Sequence, residues 1–423
     1  MVPSEVRGRK RMSAIVVFAL PLYGHMPAVL RLTAELCARG RSVICYTSRA
    51  LEPAVRETGA AWRGYPSPLL ENLSYTPDFC WRLMACAKSI LQQELSVLRD
   101  DRPAALLYDA MLPWGPAVRD LLAVPAASII ANFVFHPPVR EMLRHSRIAP
   151  RSILDLIAGC QARANAGQIT EELRSEFGVT VQDGGGMPFP DDRLNLVFTS
   201  RLLQPFAELL DDRYVFAGPA LPARTPSDEP AMQGLGTRPL VFISFGTVFN
   251  ADRELFERCF DALRPLDCDA VASTGRAYTT TDFPRAGHIR IVPFIRQAAV
   301  FEHATITITH GGMITSCESL SWGVPMILIP ATEEQEILAS RIEQLGCGIH
   351  IPRQDVSMER LSNAARCLFS DPTYRDRCKS VAESFRHAGG ASLAADRIQA
   401  LLAQSGVVVD QEPDSDARRL FLQ

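Results

Sequence analysis

The chain has 423 residues, enough for two or three domains with ample cores, and its 47% hydrophobic and 22% charged residues are typical of a globular protein. The formal net charge is −3 and the only basic run is the short tail from Arg7 to Arg11, so nucleic acid is not an expected partner. The 11 cysteines are scattered, with no Cys-x-x-Cys pair and no zinc-type Cys/His spacing, which favours reduced thiols in a cytoplasm.

The first half of the chain alternates predicted strands and helices. The apolar run at residues 14–20 predicts a buried strand, and because it is too short for a bilayer and leads to no cleavage site, we expect no membrane span and no signal peptide. Further strands are predicted at 42–47, near Trp62, and at 104–108, 125–129, 194–199 and 214–217, with helices at 27–40, 51–57, 78–98 and 114–122. This alternation predicts a doubly wound α/β domain with an added amphipathic helical region at 137–180.

A segment rich in Pro, Gly, Ser and Asp at 219–238 predicts a linker, after which the alternation starts again. The second set of strands is predicted at 240–244, 270–273, 289–292, 305–309, 326–329 and 348–351, with helices at 254–263, 295–300, 358–368, 374–385 and 392–402. We therefore expect two similar α/β domains that face each other across a cleft, and we expect the functional site in that cleft.

The unit at 305–329 is the most informative stretch of the chain. A β-branched strand leads to His310, the paired glycines Gly311 and Gly312 follow, and a helix then runs to Gly323 before the next strand. Strand, turn, helix and strand predict a right-handed crossover in a parallel sheet. The free N–H groups of such a helix start suit a phosphate or pyrophosphate, and glycines let the ligand approach the backbone.

Polar side chains beyond this turn extend the predicted site. Thr315 and Ser316 carry hydroxyls that can reach a phosphate, and Glu318 could accept from both hydroxyls of a ribose. Glu334 and Gln335 open the next helix at the same sheet edge and could bind further hydroxyls. The alternative is a glycine loop that only packs helix on strand, which explains the paired glycines but not this order of polar residues.

A second constellation lies in the first half of the chain. His25 follows the first strand and Asp109 ends a neighbouring strand, so both can face the same edge of the sheet. A neutral imidazole can take a proton from a hydroxyl near neutral pH, and a carboxylate on its other nitrogen would fix the tautomer and stabilise the imidazolium. Taken alone, His25 is more simply a loop histidine bonded to backbone, and Asp109 a helix cap.

Together these residues resemble a known family. His310-Gly311-Gly312 through Glu318, Gly323-Val324-Pro325 and Pro330 through Gln335 are similar to the nucleotide-sugar signature of the inverting glycosyltransferases that act on natural products and xenobiotics, above all the bacterial macrolide glycosyltransferases. The resemblance covers roughly residues 14–402. It implies a GT-B fold with a disordered tail at 1–11, an acceptor-binding Rossmann-like domain at 12–218, the linker at 219–238, a nucleotide-sugar-binding Rossmann-like domain at 239–388, a helix at 389–404 that crosses back onto the first domain, and a mobile tail at 405–423.

The resemblance also implies roles for single residues. His25 with Gly24 matches the catalytic base of the family, and Asp109 matches the orienting carboxylate. Donor contacts are implied for Gly246, Thr247, Ile291, Val292, His310, Gly311, Gly312, Met313, Thr315, Ser316, Glu318, Glu334 and Gln335, and acceptor contacts for Tyr23, Met111, Trp114 and His136. Ile291 stands where relatives place a base-stacking aromatic residue and Phe294 where they place Gln, so uracil and thymine both stay open.

The sequence thus predicts a metal-independent, inverting glycosyltransferase that moves a sugar from a UDP- or dTDP-sugar to a hydroxyl of a small hydrophobic natural product such as a macrolide, polyketide or polyphenol. No His and carboxylate pair has metal-ligand spacing, so we expect no metal and no cofactor. The helix turn and His310 are then expected to stabilise the charge of the leaving group. The protein is expected in the cytoplasm as a monomer or weak dimer. Two alternatives stay open: a non-catalytic relative that activates or scaffolds a partner transferase, and a sugar-nucleotide epimerase, which the pairing of His25 with Asp109 disfavours.

Overall fold

The computed structural model describes residues 13–71, 73, 79–146, 160–179, 192–222, 229–235, 237–246, 252–275, 277–283 and 289–405. The predictions for the tails at 1–11 and 406–423 and for Thr247 lie outside these residues, as do those for parts of the linker and of the helical region at 137–180.

The first domain is built on a seven-stranded parallel sheet with the order β3-β2-β1-β4-β5-β6-β7. Its strands are β1 (Ile15–Phe18), β2 (Val43–Tyr46), β3 (Ala61–Arg63), β4 (Ala105–Asp109), β5 (Ala126–Ile130), β6 (Asn195–Val197) and β7 (Tyr214–Phe216). Its helices are α1 (Met26–Ala38), α2 (Glu52–Glu57), α3 (Phe79–Asp101), α4 (Trp114–Leu122), α5 (Pro137–His145) and α6 (Cys160–Phe177). Helices cover both faces, which is why the central strands are apolar on both sides.

The predicted first strand is longer than the observed one. The apolar run continues beyond Phe18, where β1 ends; the N–H of Ala19 still donates to the carbonyl of Tyr46 at 3.0 Å, and Ala19 and Leu20 stay fully buried. The chain must turn back there into α1, and the N–H groups of His25 and Met26 both donate to the carbonyl of Leu22, at 2.9 and 3.1 Å. The end of the run is therefore a buried turn that holds the start of α1 against the strand ends.

The second domain is built on a six-stranded parallel sheet with the order β10-β9-β8-β11-β12-β13. Its strands are β8 (Leu240–Ser244), β9 (Asp269–Ser273), β10 (Ile289–Val292), β11 (Ala304–Thr309), β12 (Met326–Leu328) and β13 (Gly348–His350). Its helices are α7 (Arg253–Leu263), α8 (Gln297–Phe301), α9 (Met313–Ser321), α10 (Glu333–Gln344), α11 (Met358–Ser370) and α12 (Thr373–His387). Both domains are Rossmann-like, as the alternation of elements predicts.

The last described helix, α13 (Gly390–Gln404), packs on the first domain. Its buried face, which includes Ala394 and Ile398, shares one core with Val29 and Leu32 of α1. Arg39 at the end of α1 donates to side chains of α13, including the carboxylate of Asp396 at 2.5 Å and the hydroxyl of Ser392 at 2.8 Å. The predicted return of the chain to the first domain is confirmed.

The floor of the cleft between the domains is apolar. Ile130, Phe133 and Val139 of the first domain pack in one cluster with Met313 and Leu338 of the second, among other residues. This shared core holds the carboxyl ends of the two sheets close to each other, so side chains that follow β1 and β4 meet those that follow β11 and β12. Within the described ranges, each helix falls short of a bilayer span in length or in apolar character.

Candidate active site

The structure brings His25 and Asp109 together. β1 and β4 are neighbours in register, with Phe18 opposite Tyr108, so the segments that follow them share one sheet edge. The Nδ1 atom of His25 lies 2.7 Å from Oδ2 of Asp109, and the backbone N–H of Met111 donates to Oδ1 at 3.0 Å. Both oxygens of the carboxylate are thus fixed, and a neutral His25 that donates from Nδ1 carries its lone pair on Nε2.

The surroundings of this pair control its protonation. His25 is 3% exposed and Asp109 is 1% exposed. Burial by itself disfavours the imidazolium, but the Asp109 carboxylate, assisted by Glu334 of the second domain, outweighs it and raises the pKa of His25 above its usual value of 6.5. The pair therefore favours an imidazole that readily accepts a proton.

An apolar pocket opens on His25 and Asp109. Its other walls are Met111 and the segment that directly follows β5, whose side chains include Asn132, Phe133 and Phe135. No motif in the sequence marks this segment, although its position just after a central strand, at the carboxyl edge of the sheet, is a usable signal. The pocket thus joins apolar walls to the His25 and Asp109 pair.

The four residues expected to contact an acceptor have different positions. Met111 lines the pocket, and Tyr23 is 80% exposed on the turn before His25. His136 is half-buried at the start of α5, where its ring meets Tyr214 edge-on at 6.0 Å. The prediction for Trp114 is wrong, because its side chain is 0% exposed and packs in the domain core.

Trp114 was misassigned because its motif is a packing motif. Its ring meets Tyr65 edge-on at 5.4 Å, and a Cβ atom on the next residue, Gly115, would lie 2.3 Å from the Tyr108 ring. The small glycine and the large tryptophan thus seat α4 on β4. This contact fixes the strand that ends in Asp109, so the motif supports the site through packing and not through a ligand contact.

The glycine turn after β11 has the predicted shape. Gly311 adopts a φ of 80°, a left-handed conformation that glycine reaches at no steric cost, and α9 starts two residues later. Gly246, which follows β8, has a φ of 75°. A Cβ atom on Gly246 or on Gly312 would lie 2.8 Å from an atom of the His310 ring. The two glycines therefore form a slot that admits the imidazole of His310.

His310 is a neutral side chain in this slot. It is 8% exposed, and burial lowers its pKa to about 4 despite a hydrogen bond with the backbone of Ser244. Nδ1 lies 3.4 Å from the hydroxyl of Thr309. In the ligand-free protein the positive potential at this turn therefore comes from the start of α9 rather than from the imidazole.

The first turns of α9 carry buried polar groups that a ligand could satisfy. Met313 and Thr315 are each 7% exposed, and Ser316 is fully buried with no hydrogen-bond partner for its hydroxyl among the described residues. Such an orphan hydroxyl is unfavourable unless a ligand or water meets it. Glu318 is 7% exposed, and burial raises its pKa to about 7, although Arg31 of α1 acts in the opposite direction.

Glu334 and Gln335 lie in the first turn of α10, as predicted. Thr332 caps this helix, and the side-chain oxygen of Gln335 accepts from the N–H groups of Ala331 at 2.9 Å and Thr332 at 3.2 Å. Because this oxygen already accepts hydrogen bonds in the cap, Gln335 would contact a ligand through its amide N–H groups. Glu334 interacts electrostatically with His25, so the predicted sugar site adjoins the predicted base.

At the end of β10 the side-chain positions do not match the expected contact with a nucleobase. Ile291 is 8% exposed and belongs to the core of the second domain, so it offers a nucleobase little surface. Val292 is half-buried against a neighbouring cluster. The ring exposed at this edge is that of Phe294, which is 55% exposed.

No group of three or more His, Cys, Asp or Glu side chains in the described part of the chain is arranged to hold a metal ion. The acidic pair Asp267 and Asp269 lies at the start of β9, away from the carboxyl edge, and Asp269 is paired with Arg238.

Comparison with known proteins gives a consistent result. Residues 257–394 match the family described as erythromycin biosynthesis protein CIII-like, C-terminal domain. The chain is 29% identical to NDP-glycosyltransferase YjiC of Bacillus subtilis (strain 168), over 93% of this chain and 98% of that protein. It is 27% identical to demethyllactenocin mycarosyltransferase of Streptomyces fradiae, over 94% of this chain and 88% of that protein. The crystal structure of the kitacinnamycin glycosyltransferase superposes with a TM-score of 0.79 at 26% identity, over 92% of this chain and 99% of that one. The resemblance inferred from the glycine turn is confirmed.

Proposed function

This chain is a glycosyltransferase of the GT-B fold, and we propose that it transfers a sugar from a UDP- or dTDP-sugar to a hydroxyl of a small hydrophobic natural product in a single inverting step. The observation that carries the proposal is the contact of 2.7 Å between His25 and Asp109, at a histidine on which Glu334 of the other domain also acts electrostatically.

In the proposed step, Nε2 of His25 takes the proton of the acceptor hydroxyl while that oxygen attacks the anomeric carbon. The bond from that carbon to the diphosphate oxygen breaks, and its electron pair leaves with the nucleoside diphosphate. Asp109 holds the ring and stabilises the imidazolium, which later returns its proton to solvent. One displacement from the face opposite the leaving group inverts the anomeric centre.

The donor is proposed to lie along the second domain. The start of α9 and the backbone at Gly311 and Gly312 would receive the diphosphate, with the orphan hydroxyl of Ser316 close by. Glu318 would hold the nucleoside sugar and Glu334 the transferred sugar. The name of the Bacillus relative, an NDP-glycosyltransferase, supports a nucleoside diphosphate donor in general.

The acceptor class rests on the chemistry of the pocket. Met111, Phe133 and Phe135 give it apolar walls, and His25 and Asn132 are polar groups on its lining. A hydrophobic molecule with few hydroxyls fits such a lining better than an oligosaccharide does. The names of two relatives, demethyllactenocin mycarosyltransferase and the glycosyltransferase of kitacinnamycin, support a natural-product acceptor.

Calorimetric titration with UDP, dTDP and GDP tests the donor site. We expect one uridine or thymidine diphosphate to bind the wild type and to bind Glu318→Ala at least about tenfold more weakly, because charged hydrogen bonds to the sugar ring are lost. Glu383→Ala changes an exposed glutamate of α12 and serves as the matched control. If a folded wild-type protein binds none of the three nucleotides, the proposal is wrong, and a non-catalytic auxiliary role becomes the better interpretation.

A further inference from the structure

One wall of the pocket at His25 is formed by a segment without a strand or helix of its own. It spans residues 131–136, between β5 and α5, and its side chains on the pocket include Phe133 and Phe135. The rings of these two residues meet edge-on, with their centroids 6.2 Å apart. Since no ladder or helix pairs the backbone of this wall, its buried N–H and carbonyl groups need partners from elsewhere.

Val134, between the two phenylalanines, receives such partners from the side chain of Gln204 in the turn after β6. The side-chain oxygen of Gln204 accepts from the N–H of Val134 at 2.8 Å. Its amide nitrogen donates to the carbonyl of Val134 at 3.2 Å and to that of Pro205 at 2.9 Å. Gln204 and Val134 are each 1% exposed. One buried amide thus pairs both backbone groups of Val134, as a neighbouring strand would.

These bonds fix the wall on both sides of Val134. Its N–H belongs to the peptide unit shared with Phe133, and its carbonyl belongs to the peptide unit shared with Phe135. Because peptide units are planar, holding both groups sets how the chain passes from one phenylalanine to the other. Phe133 and Val134 are buried in one apolar cluster with Leu203, the neighbour of Gln204. Water therefore has little access to compete for the hydrogen bonds.

The turn that carries Gln204 is held in place by the second domain. Arg341 of α10 donates to the carbonyl of Leu202 at 2.8 Å. The hydroxyl of Ser384 on α12 donates to the hydroxyl of Ser200 at 3.1 Å. Gln204 therefore reaches the pocket wall from a fixed support, and part of that support comes from the helix whose first turn carries the proposed contacts to the transferred sugar.

We propose that Gln204 is a positioning residue of the acceptor pocket. By binding the backbone of Val134, it holds Phe133 and Phe135 where they bind the apolar part of an acceptor whose hydroxyl reaches His25. This inference rests on the proposed function, because it takes this pocket as the acceptor site. It adds that the shape of the site depends on a side chain 70 residues further along the chain, which no sequence motif marks.

The test is steady-state transfer from UDP-glucose or dTDP-glucose, whichever the wild type uses, to an acceptor probe. The probe is a hydroxyflavone, a hydroxyanthraquinone or a macrolide aglycone, chosen as one that the wild type glycosylates. Gln204→Met keeps the length of the side chain and removes its three hydrogen bonds. We expect the KM for the acceptor to rise about tenfold and kcat to change less than about threefold, because the wall shifts while the base keeps its place. Nucleotide affinity in calorimetric titration should stay within about twofold of the wild type.

Hydrogen exchange tests the contact itself. Exchange in the segment 131–136 should be at least about tenfold faster in Gln204→Met than in the wild type, because the N–H of Val134 loses its partner. Gln204→Asn keeps an amide on a shorter side chain and replaces Gln204→Met in both measurements if that variant does not fold. We expect it to raise the KM for the acceptor at least about threefold.

Two controls separate positioning from a general loss of stability. Ile398→Ala removes core packing between α13 and α1, in a different cluster from the one at the pocket. It should destabilise the protein but leave the KM for the acceptor within about twofold of the wild type. Gln93→Met makes the same change as Gln204→Met at an exposed position of α3 and should behave like the wild type.

The inference is overturned if the folded Gln204 variant keeps the wild-type KM for the acceptor or the wild-type exchange at 131–136. It is also overturned if Ile398→Ala raises that KM as much as the Gln204 variant does, since the effect would then reflect stability alone. A wild type that glycosylates none of the three probes contradicts the proposed acceptor class, and this inference with it. The two failures are distinguishable, because the second is already seen in the wild type.

Discussion

The basicity of His25 is set by two carboxylates that work against its burial. Asp109 contacts it directly within the first domain, and Glu334 acts on it from the second. Since a base must be deprotonated to accept the acceptor proton, a raised pKa moves the onset of activity to higher pH while making the base stronger. The rate is then expected to fall on the acid side as His25 becomes protonated, with an apparent pKa above the usual 6.5.

Asp109→Asn tests this balance. Without the carboxylate, burial dominates and lowers the pKa of His25, so the acid limb of the kcat/KM profile should move to lower pH. Because the imidazolium also loses its partner, kcat is expected to fall about 10²- to 10⁴-fold. Nucleotide affinity should change little, since Asp109 lies in the other domain from the donor turn. An unchanged rate would remove Asp109 from the mechanism.

Gly312→Ala probes the slot around His310. The backbone at Gly312 has an ordinary φ of −63°, so the added methyl group causes no backbone strain, but it would lie 2.8 Å from Nε2 of His310. Displacing a packed ring costs about 1–3 kcal/mol, and we expect a comparable loss of nucleotide affinity in calorimetric titration. In a His310→Ala background the same substitution should lower nucleotide affinity much less. Equal losses of nucleotide affinity in both backgrounds would mean that the only role of the glycine is to let a phosphate approach the backbone.

At this scale the sequence predicts contacts that follow from strand order. His25 follows β1 and Asp109 ends β4, and because these are neighbouring parallel strands both residues lie at one edge of the sheet. It does not tell which way a side chain points, so Trp114 and Ile291, both taken from motif positions, are buried in cores. The electrostatic influence of Arg31 on Glu318 could not be found from the sequence, because the two residues lie in different domains and their proximity depends on how the domains pack.

At the scale of elements, most strands and helices follow from apolar patterning. The predicted strand at 240–244 and the predicted helix at 114–122 have the bounds observed for β8 and α4. The strand predicted at 194–199 is shorter as β6, which spans Asn195–Val197, although the N–H of Phe198 still donates to the carbonyl of Ile130 at 2.8 Å and both Phe198 and Thr199 stay buried. Burial is thus easier to predict than the exact end of strand pairing.

The crossing helix α13 is an element whose packing can be measured. Ile398 is fully buried in the core that α13 shares with α1. Ile398→Ala should therefore lower the free energy of unfolding by about 2–5 kcal/mol in chemical denaturation, through lost burial and a cavity. Arg397→Ala, at an exposed position of the same helix, should change it by less than about 0.5 kcal/mol. Similar values for the two variants would show that α13 does not stabilise the first domain.

At the scale of the whole molecule, the shared core between the domains makes the site a single unit. Met313, at the start of α9, packs in that core with Phe133, which also lines the pocket at His25. The proposed base and the proposed diphosphate turn are thereby held on opposite sides of one cleft. This arrangement follows from the fold rather than from either domain alone, and the sequence predicts the cleft without predicting its contacts.

A chelator tests how leaving-group charge is handled. We expect transfer to continue at an unchanged rate in excess EDTA, because the start of α9 and its N–H groups can stabilise the developing negative charge. Recovery of a lost rate on addition of Mg²⁺ or Mn²⁺ would show that a cation shares that role.

The most direct measurement is the rate of sugar transfer by His25→Ala, with the affinity for the nucleotide measured on the same preparation. We expect transfer to fall by at least about 10²-fold while nucleotide affinity and thermal stability stay close to those of the wild type. His145→Ala, at an exposed histidine of α5, should behave like the wild type. Transfer at the wild-type rate by His25→Ala would contradict the assignment of His25 as the base, and joint loss of transfer and nucleotide binding would show that His25 serves the structure instead.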